Sequence, residues 1–223
     1  MPAVGFATIL DAARTRHGAV ALDARLPHPK SASELAATPD DRYLSQMSLR
    51  IFRAGLKHSV VDAKWPAFEE VFHGFDPRRV RAMPDEDMEK LLGDTRLIRH
   101  WGKLKAVRDN AAAMLAIDEE FGSFGTWLGT WPGGNIVGLW EALADRFSQM
   151  GGASGPMFLR MVGKDTFVLS KSVIAGLKHW VEMPAPKNRT DRAAAQAHFN
   201  AWSAETGRPL SQLSLILALS VDD

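Results

Sequence analysis

Apolar residues recur along most of this chain at the three- and four-residue spacing that places them on one face of a helix. The pattern is clearest in residues 97–115, where Leu97, Trp101 and Leu104 begin a stripe that continues to Leu115. Runs that alternate apolar and polar residues, as a half-buried strand requires, are lacking. The pattern therefore predicts an all-α chain of about ten helices.

Polar residues and prolines predict where some of these helices begin. Residues 39–41 are a proline followed by two aspartates, and acidic side chains suit the first turn of a helix. Asp76 followed by Pro77 is a typical N-cap and first helical residue. Residues 65–75 form another apolar stripe, which predicts a helix with Pro66 near its first turn.

The first 38 residues differ in character from the rest of the chain. A short amphipathic stretch around Phe6 and Ile9 is followed by a proline-rich segment at residues 26–33. We predict an N-terminal helix and extended arm over residues 1–38, and one helical domain over residues 39–223.

Composition limits the classes of protein to which the chain can belong. Its 223 residues are enough to bury a core, and no apolar run of about 18 residues predicts a membrane span. Cysteine is absent, which excludes disulfides and thiolate metal sites and fits a reducing compartment. We therefore expect a cytoplasmic, monomeric protein that does not bind membranes.

Charge points to a partner only at the local level. The formal net charge is +1, so the overall charge does not predict binding to nucleic acid. Basic residues nevertheless cluster in residues 96–108 and again in residues 187–192. Each cluster is either a solvated face or a stripe that follows a phosphate backbone, and the sequence leaves both readings open.

A set of short motifs lies in the middle of the chain. They are Ala-Gly-Leu at residues 54–56, Phe-His-Gly-Phe-Asp-Pro at residues 72–77, Ile-Arg-His-Trp-Gly-Lys at residues 98–103 and Asn-Ala at residues 110–111. In type and order, and without a gap, these residues resemble the DNA-3-methyladenine glycosylase I family, a branch of the helix-hairpin-helix glycosylases. The resemblance covers about half of the chain well and its two ends poorly.

The resemblance implies a two-lobed, all-α helix-hairpin-helix glycosylase fold and a matching activity. Such an enzyme flips a damaged base out of double-stranded DNA and hydrolyses its glycosidic bond in base excision repair. We therefore expect a hydrolase without a cofactor that excises an alkylated purine such as 3-methyladenine. The structural zinc of the family is not expected, because its ligands include cysteines that this chain lacks.

The hairpin itself is predicted near residues 147–155. Helix-hairpin-helix modules use a tight, glycine-containing turn, and the helix after it offers free backbone N–H groups to a DNA phosphate. Gly151, Gly152 and Ser154 are therefore expected to hold a phosphate. Gln149 stands where the first glycine of such a turn is usual.

The resemblance also indicates which residues surround the base. Arg50 occupies the position of the family's base-recognising glutamate, and His58 that of a stacking tryptophan. Together with Phe52, Tyr43 and Trp127 they are expected to line the base pocket, although buried aromatic rings are equally typical of a core. An arginine repels a cationic base, so Arg50 argues against specificity for 3-methyladenine.

Three further charged residues complete the predicted site. The wider superfamily uses an aspartate after the hairpin helix, at a position that falls near Ser170 or Lys171 here, and Asp165 is close enough to be a candidate for catalysis. The alternative for Asp165 is a helix cap or an ion pair. Arg99 and Lys103 are candidate DNA contacts, with a solvated or ion-paired position as the alternative.

Two other classes of function stay open on the sequence alone. Because residue 50 is not a carboxylate, the chain could be a non-catalytic module that recognises damaged or distorted duplex DNA. Its near-zero net charge also leaves open a protein–protein role without DNA contact.

Overall fold

The computed structural model describes residues 4–222, and over that range the chain is all-helical, as its pattern predicts. The α-helices are α1 (Phe6–His17), α2 (Ala19–Asp23), α3 (Ala32–Ala36), α4 (Asp40–Arg53), α5 (His58–Val71), α6 (Pro77–Arg81), α7 (Asp85–Lys90), α8 (Trp101–Phe121), α9 (Phe124–Thr130), α10 (Ile136–Arg146), α11 (Ser154–Val162), α12 (Lys171–Val181), α13 (Arg189–Thr206) and α14 (Leu210–Leu219). The predicted number of about ten is too low, because several helices are only five to seven residues long. None of the helices in residues 4–222 is long and apolar enough to cross a membrane.

The polar start signals are correct for two helices and misleading for a third. α4 begins at Asp40, and the carboxylate of Asp76 caps α6 by accepting the backbone N–H of Arg78 at 2.9 Å. α5, in contrast, begins at His58, so Pro66 lies inside the helix and not in its first turn. That proline removes one backbone donor from the helix, which the apolar contacts of the same stretch outweigh.

Contacts divide the chain into two compact units. Unit 1 comprises residues 4–29, 132–139 and 165–222, and unit 2 comprises residues 30–131 and 140–164. The division into an arm of residues 1–38 and a domain of residues 39–223 stays a prediction about domain organisation, and residues 1–3 and 223 lie outside the described part.

Unit 1 is built on aromatic side chains from its helices and from the segment that precedes α12. Phe167 and Phe199 stack with their ring centroids 4.3 Å apart, and Phe6 packs on Trp202 at 5.4 Å. Glu205 on α13 closes the start of α1, because its carboxylate accepts the backbone N–H of Phe6 at 2.9 Å. These contacts tie the first helix of the chain to one of its last.

Unit 2 contains two aromatic clusters that the sequence presents as separate stripes. The α5 cluster is centred on Phe68 and consists of Phe52, Trp65, Phe68, Phe72 and Phe75. The hairpin cluster is centred on Phe124 and consists of Tyr43, Phe124, Trp127, Phe147 and Phe158. The second cluster underlies the predicted hairpin, because Phe147 and Phe158 flank that turn on either side.

α9 lies unusually close to α3, and two glycines make that approach possible. A Cβ atom at Gly125 would collide with the carbonyl oxygen of Leu35, and one at Gly129 with that of Ala32. The hydroxyl of Tyr43 donates to the same Leu35 oxygen at 2.7 Å, which satisfies the polar group of this buried ring. These contacts hold α9, which carries Phe124 and Trp127 of the hairpin cluster, against α3.

Candidate nucleic-acid interface

A tight turn joins α10 to α11 at the place predicted for the hairpin. α10 ends at Arg146 and α11 begins at Ser154. Between them Gln149 and Gly152 have φ angles of 61° and 60°, in the left-handed region that glycine adopts freely and glutamine seldom does. The position at which a glycine is usual in such turns therefore keeps a glycine-like backbone conformation, with a glutamine in it.

A buried asparagine fastens this turn to α8. Asn110 is fully buried; its Nδ2 donates to the carbonyl oxygen of Ser148 at 3.1 Å, and its Oδ1 accepts the backbone N–H of Ser148 at 2.7 Å. One side chain thus satisfies both backbone groups of a turn residue that has no helical partner for them. The geometry of the turn depends on this pair of bonds.

A second contact ties the turn to the beginning of α8. The side-chain amide of Gln149 donates to the carbonyl oxygen of Gly102 at 2.7 Å. His100 is the N-cap of α8, and its Nδ1 accepts the backbone N–H of Lys103 at 3.3 Å. The turn and the N-terminus of α8 therefore lie side by side in unit 2.

Lys103 links the beginning of α8 to the end of α4. Its ammonium is buried and donates to the carbonyl oxygens of Ala54 at 2.7 Å and Phe52 at 3.4 Å, which belong to the last turn of α4. Carbonyls at a helix C-terminus lack helical donors, so a lysine is a suitable partner for them. Burial lowers the pKa of Lys103, and the nearby charge of Arg50 lowers it further.

Arg50 lies one turn before the end of α4 and has no compensating charge. Its side chain is half-buried, and its Nε is buried without a hydrogen-bond partner in the described part of the chain. Burial lowers the pKa of Arg50, and repulsion by Arg53 adds to that effect. Arg53 itself is ion-paired with Asp62 at 2.7 Å.

This region of unit 2 coincides with a match to a known family. The model of the methyladenine glycosylase family matches residues 35–150, which is just over half of the chain and extends from α3 into the hairpin turn. This chain belongs to the methyladenine glycosylase family.

Individual members and solved structures agree with that assignment. DNA-3-methyladenine glycosylase 1 of Escherichia coli (strain K12) is 37% identical over 82 residues, which cover 37% of this chain and 44% of that protein. The match therefore spans less than half the length of this curated relative.

Two solved structures show the same helical fold. The 3-methyladenine DNA glycosylase I of Staphylococcus aureus is 21% identical with a TM-score of 0.50, over 68% of this chain and 91% of that one. The 8-oxoguanine glycosylase/lyase of Methanocaldococcus jannaschii, in complex with DNA, is 14% identical with a TM-score of 0.51, over 94% and 93% of the two chains. The fold of this family member is therefore that of the helical DNA glycosylases.

The aromatic residues predicted for the base pocket lie in the core of this family member. Tyr43 and Trp127 both pack on Phe124 in the hairpin cluster, and Phe52 packs on Phe68 in the α5 cluster. All three predicted residues are at most 2% exposed. His58 is exposed as the first residue of α5. Arg50 and Phe52 both lie in the last turn of α4, and the pocket lining stays a prediction.

Asp165 has the contact that the sequence left as its alternative. Its two carboxylate oxygens accept the backbone N–H groups of Leu210 at 2.8 Å and Ser211 at 2.9 Å, so it caps α14. It belongs to unit 1, whereas Arg50 and the hairpin turn belong to unit 2. A catalytic role for Asp165 stays a prediction, and it would have to coexist with this structural one.

The predicted DNA contacts differ in their accessibility. Arg99, Gly151 and Gly152 are exposed, and Ser154 is half-exposed at the first residue of α11. Lys103 is buried, with its ammonium engaged by the end of α4. The structure thus presents Arg99 and the glycine turn to a partner, and it uses Lys103 internally.

Sequence reasoning missed one pair of acids altogether. Asp40 and Asp118 approach each other at a cavity of about 700 Å³. Burial, followed by the charge of Asp118 and a hydrogen bond with it, raises the pKa of Asp40 to about 6, although the backbone N–H groups of Phe124 and Gly125 act in the opposite direction. Burial also raises the pKa of Asp118. The sequence used Asp40 only as a helix start, and nothing in its spacing indicates Asp118 as a partner.

Proposed function

We propose that this chain is a monofunctional DNA N-glycosylase of base excision repair. It would flip a modified purine, of the alkylated class that includes 3-methyladenine, out of duplex DNA and hydrolyse its glycosidic bond. The observation that carries the proposal is the glycine-type turn between α10 and α11, fastened to α8 by Asn110 and Gln149. The family match covers α8 and α10 and ends at residue 150, inside this turn, and the relative from E. coli is named for 3-methyladenine.

The turn and the helix after it would position the DNA. Gly151, Gly152 and Ser154 lie at the surface where α11 begins, and the N-terminus of a helix attracts phosphate through its free N–H groups and its dipole. Arg99 would add a positive charge beside them, since it is exposed just before α8. Such contacts orient the duplex without reading its sequence.

The base would lie against the end of α4. In this proposal Arg50, Phe52, His58, Tyr43 and Trp127 line the pocket, and a water molecule attacks C1′ of the sugar. Asp165 stays the candidate catalytic carboxylate on the sequence alone. No cofactor enters this scheme. Action as a monomer in the cytoplasm is part of the same proposal and rests on the composition alone.

A second candidate function is favoured by Arg50. A half-buried guanidinium without a carboxylate partner repels a cationic base such as 3-methyladenine. A protein that binds damaged or distorted duplex DNA without excising a base would tolerate that residue. In this candidate function the hairpin still binds DNA, but no glycosidic bond is hydrolysed.

Release of free base separates the two candidates. Purified native protein and the Arg50→Glu variant are incubated with heavily methylated duplex DNA, and released bases are identified by mass spectrometry. Binding to the same duplex is followed in parallel by fluorescence anisotropy. Release of any methylated purine by the native protein supports the glycosylase. Duplex binding without release supports the binding module, and the absence of both contradicts each candidate.

A further inference from the structure

Arg50 is a half-buried cation in unit 2 whose Nε has no hydrogen-bond partner among residues 4–222. Buried polar atoms are nearly always hydrogen-bonded, and an exception calls for an explanation. The Nε of Arg50 is such an exception, and no ion pair or hydrogen bond holds its guanidinium within residues 4–222. The neighbouring charged residues Arg53 and Lys103 cannot accept a hydrogen bond from Arg50, because both are cations.

The two neighbouring cations are already engaged. Arg53 is paired with Asp62 at 2.7 Å, and Lys103 donates to the carbonyl oxygen of Ala54 at 2.7 Å. The lowered pKa values of Arg50 and Lys103 show that the surroundings disfavour further positive charge. The buried Nε of Arg50 therefore lacks an acceptor, and a ligand that supplies one would be stabilised there.

Arg50 also lies near the proposed DNA-positioning turn. Gln149 in the turn contacts Gly102 at the start of α8, and Lys103, the next residue, contacts the end of α4 that carries Arg50. Two side-chain hydrogen bonds thus connect the turn to the helix end beside Arg50. A duplex held at the turn would bring a flipped base within the same region of unit 2.

We propose that Arg50 determines the specificity of this base site, and that it selects an uncharged 6-oxopurine over a cationic N3-alkylated adenine. Hypoxanthine is the simplest such base. This inference rests on the proposed glycosylase function and narrows its substrate class.

Hydrogen-bond polarity supports this choice of base. The O6 and N7 atoms of a 6-oxopurine are both acceptors and match the two donors of a guanidinium, which is the commonest specific pairing of arginine with a purine. An adenine derivative presents an amino donor at position 6, which opposes the guanidinium. The positive charge of an N3-alkylated adenine adds electrostatic repulsion.

The reaction itself favours the same base. When the bond between C1′ and N9 breaks, its electron pair goes to the purine, and the oxygen of water bonds to C1′. An uncharged purine therefore leaves as an anion and takes up the proton that the water loses, whereas a cationic purine leaves as a neutral base. A guanidinium at O6 and N7 stabilises the developing negative charge only in the first case.

The test compares two substrates and four proteins. Single-turnover release is measured from a duplex with one deoxyinosine and from methylated duplex DNA, with native protein and the variants Arg50→Gln, Arg50→Lys and Arg53→Gln. We expect the native protein to release hypoxanthine, and Arg50→Gln to lower that rate about 100-fold, as for the loss of one transition-state donor. Release of 3-methyladenine should stay equal or rise in Arg50→Gln.

The other two variants serve as controls. Arg53 lies three residues after Arg50, and Asp62 already neutralises its charge. Arg53→Gln should therefore leave the ratio of the hypoxanthine and 3-methyladenine release rates unchanged. Arg50→Lys keeps the charge without the planar pair of donors, so it should fall between native protein and Arg50→Gln. Arg50→Lys also replaces Arg50→Gln in the test if thermal unfolding shows that Arg50→Gln does not fold.

Two results overturn the inference while the glycosylase stands. One is release of 3-methyladenine but not hypoxanthine by the native protein. The other is an equal loss of both rates in Arg50→Gln and Arg50→Lys. Release of neither base by the native protein would instead refute the proposed function itself, and the inference with it.

Discussion

Asn110 is an example of a single buried polar side chain that sets the geometry of a distant segment. It belongs to the apolar stripe of α8, where a polar residue is costly unless its hydrogen bonds are made. Both polar groups of its side chain hydrogen-bond to the backbone of Ser148, which offsets the free-energy cost of burying them and holds the hairpin turn in place. Asn110 therefore stabilises the turn, and this role does not depend on which ligand the turn binds.

Replacement of Asn110 by alanine should destabilise the protein by about 1–3 kcal/mol, because both backbone groups of Ser148 lose their partner. Chemical denaturation measures the change in the free energy of unfolding. Asn200→Ala is the matched control, since Asn200 makes one exposed bond, to the carbonyl of Gly134, and should cost less than about 1 kcal/mol. Equal losses in the two variants would contradict this account of Asn110.

The pairing of Asp40 with Asp118 makes a prediction about pH. The pKa of Asp40 is about 6 in the folded protein against 3.8 for an ordinary aspartate, so the folded state binds the proton more tightly. The contribution of Asp40 to stability is therefore greatest at low pH and falls as pH rises from about 4 through about 6. Asparagine resembles the protonated acid, so Asp40→Asn should be more stable than the native protein at pH 7.5 and nearly equal to it at pH 4.

This difference is read from denaturation curves at the two pH values. Asp41→Asn removes a charge from the adjacent residue of α4 and serves as the control. Asp41 borders the same cavity, as do Asp76, Arg78, Arg81 and Glu119, but it is paired with Arg42. A stabilisation by Asp40→Asn that does not change with pH would show that the two acids do not share a proton.

At the scale of elements, the turn between α10 and α11 depends on backbone conformation as well as on the Asn110 side chain. Gly152 has a φ of 60° with no atom near the place of a Cβ, so its only special property is conformational freedom. Gly151 has no such angle, and a Cβ there would meet only the side chain of Ala144 at 3.9 Å. The two adjacent glycines are thus a natural comparison.

We expect Gly152→Ala to lower the free energy of unfolding by about 1 kcal/mol, which is the cost of a left-handed conformation in a residue with a Cβ. Gly151→Ala should be close to neutral by the same denaturation measurement. The opposite order would mean that Gly152 is not in the left-handed conformation. Circular dichroism on both variants would confirm that the helices persist.

The elements also show how far local signals reach. The acidic residues of the first turn and the Asp76 cap predicted α4 and α6 correctly, because capping involves residues that are adjacent in the sequence. Pro66 was misleading, because its place in a helix depends on what the helix packs against. In α5, the contacts of the α5 cluster between residues distant in the sequence outweigh the backbone hydrogen bond that Pro66 cannot donate.

At the scale of the whole molecule, a net charge of +1 requires that any binding to DNA come from local charge. Most basic side chains beside α8 are already used: Arg96 pairs with Glu70, and Arg108 pairs with Asp85. Arg99 is exposed, and the structure shows no ion pair for it in residues 4–222. It is therefore the residue of that basic cluster that we expect to contact phosphate.

Arg99→Ala should weaken duplex binding by a similar factor for different sequences and reduce the slope of log affinity against log salt by about 1. Anisotropy titrations at several salt concentrations give that slope. Lys90→Ala is the control, because Lys90 is paired with Asp87 at 2.7 Å on α7 and should leave the slope unchanged. An equal change in both variants would indicate a general effect of charge and no specific contact.

The sequence by itself determined what depends on neighbouring residues. Helical periodicity, the Asp76 cap and the hairpin turn are local properties, and the family resemblance follows from motifs that stand in order along the chain. These features were enough to predict an all-α fold, the place of the turn and the glycosylase family. They also predicted that Arg50 and His58 stand at positions where the family has other residues.

The tertiary structure alone decided the partners of those residues. Asp165 caps α14, Asp40 meets Asp118, and Arg50 lies near the positive charge of Lys103. Tyr43 is a core residue because it packs on Phe124 of α9, and Trp127 of α9 is one because it packs on Phe147 at the start of the turn. Each of these outcomes joins side chains that are far apart in the sequence, and the distance between such residues is set by the packing of whole helices, which no local pattern encodes.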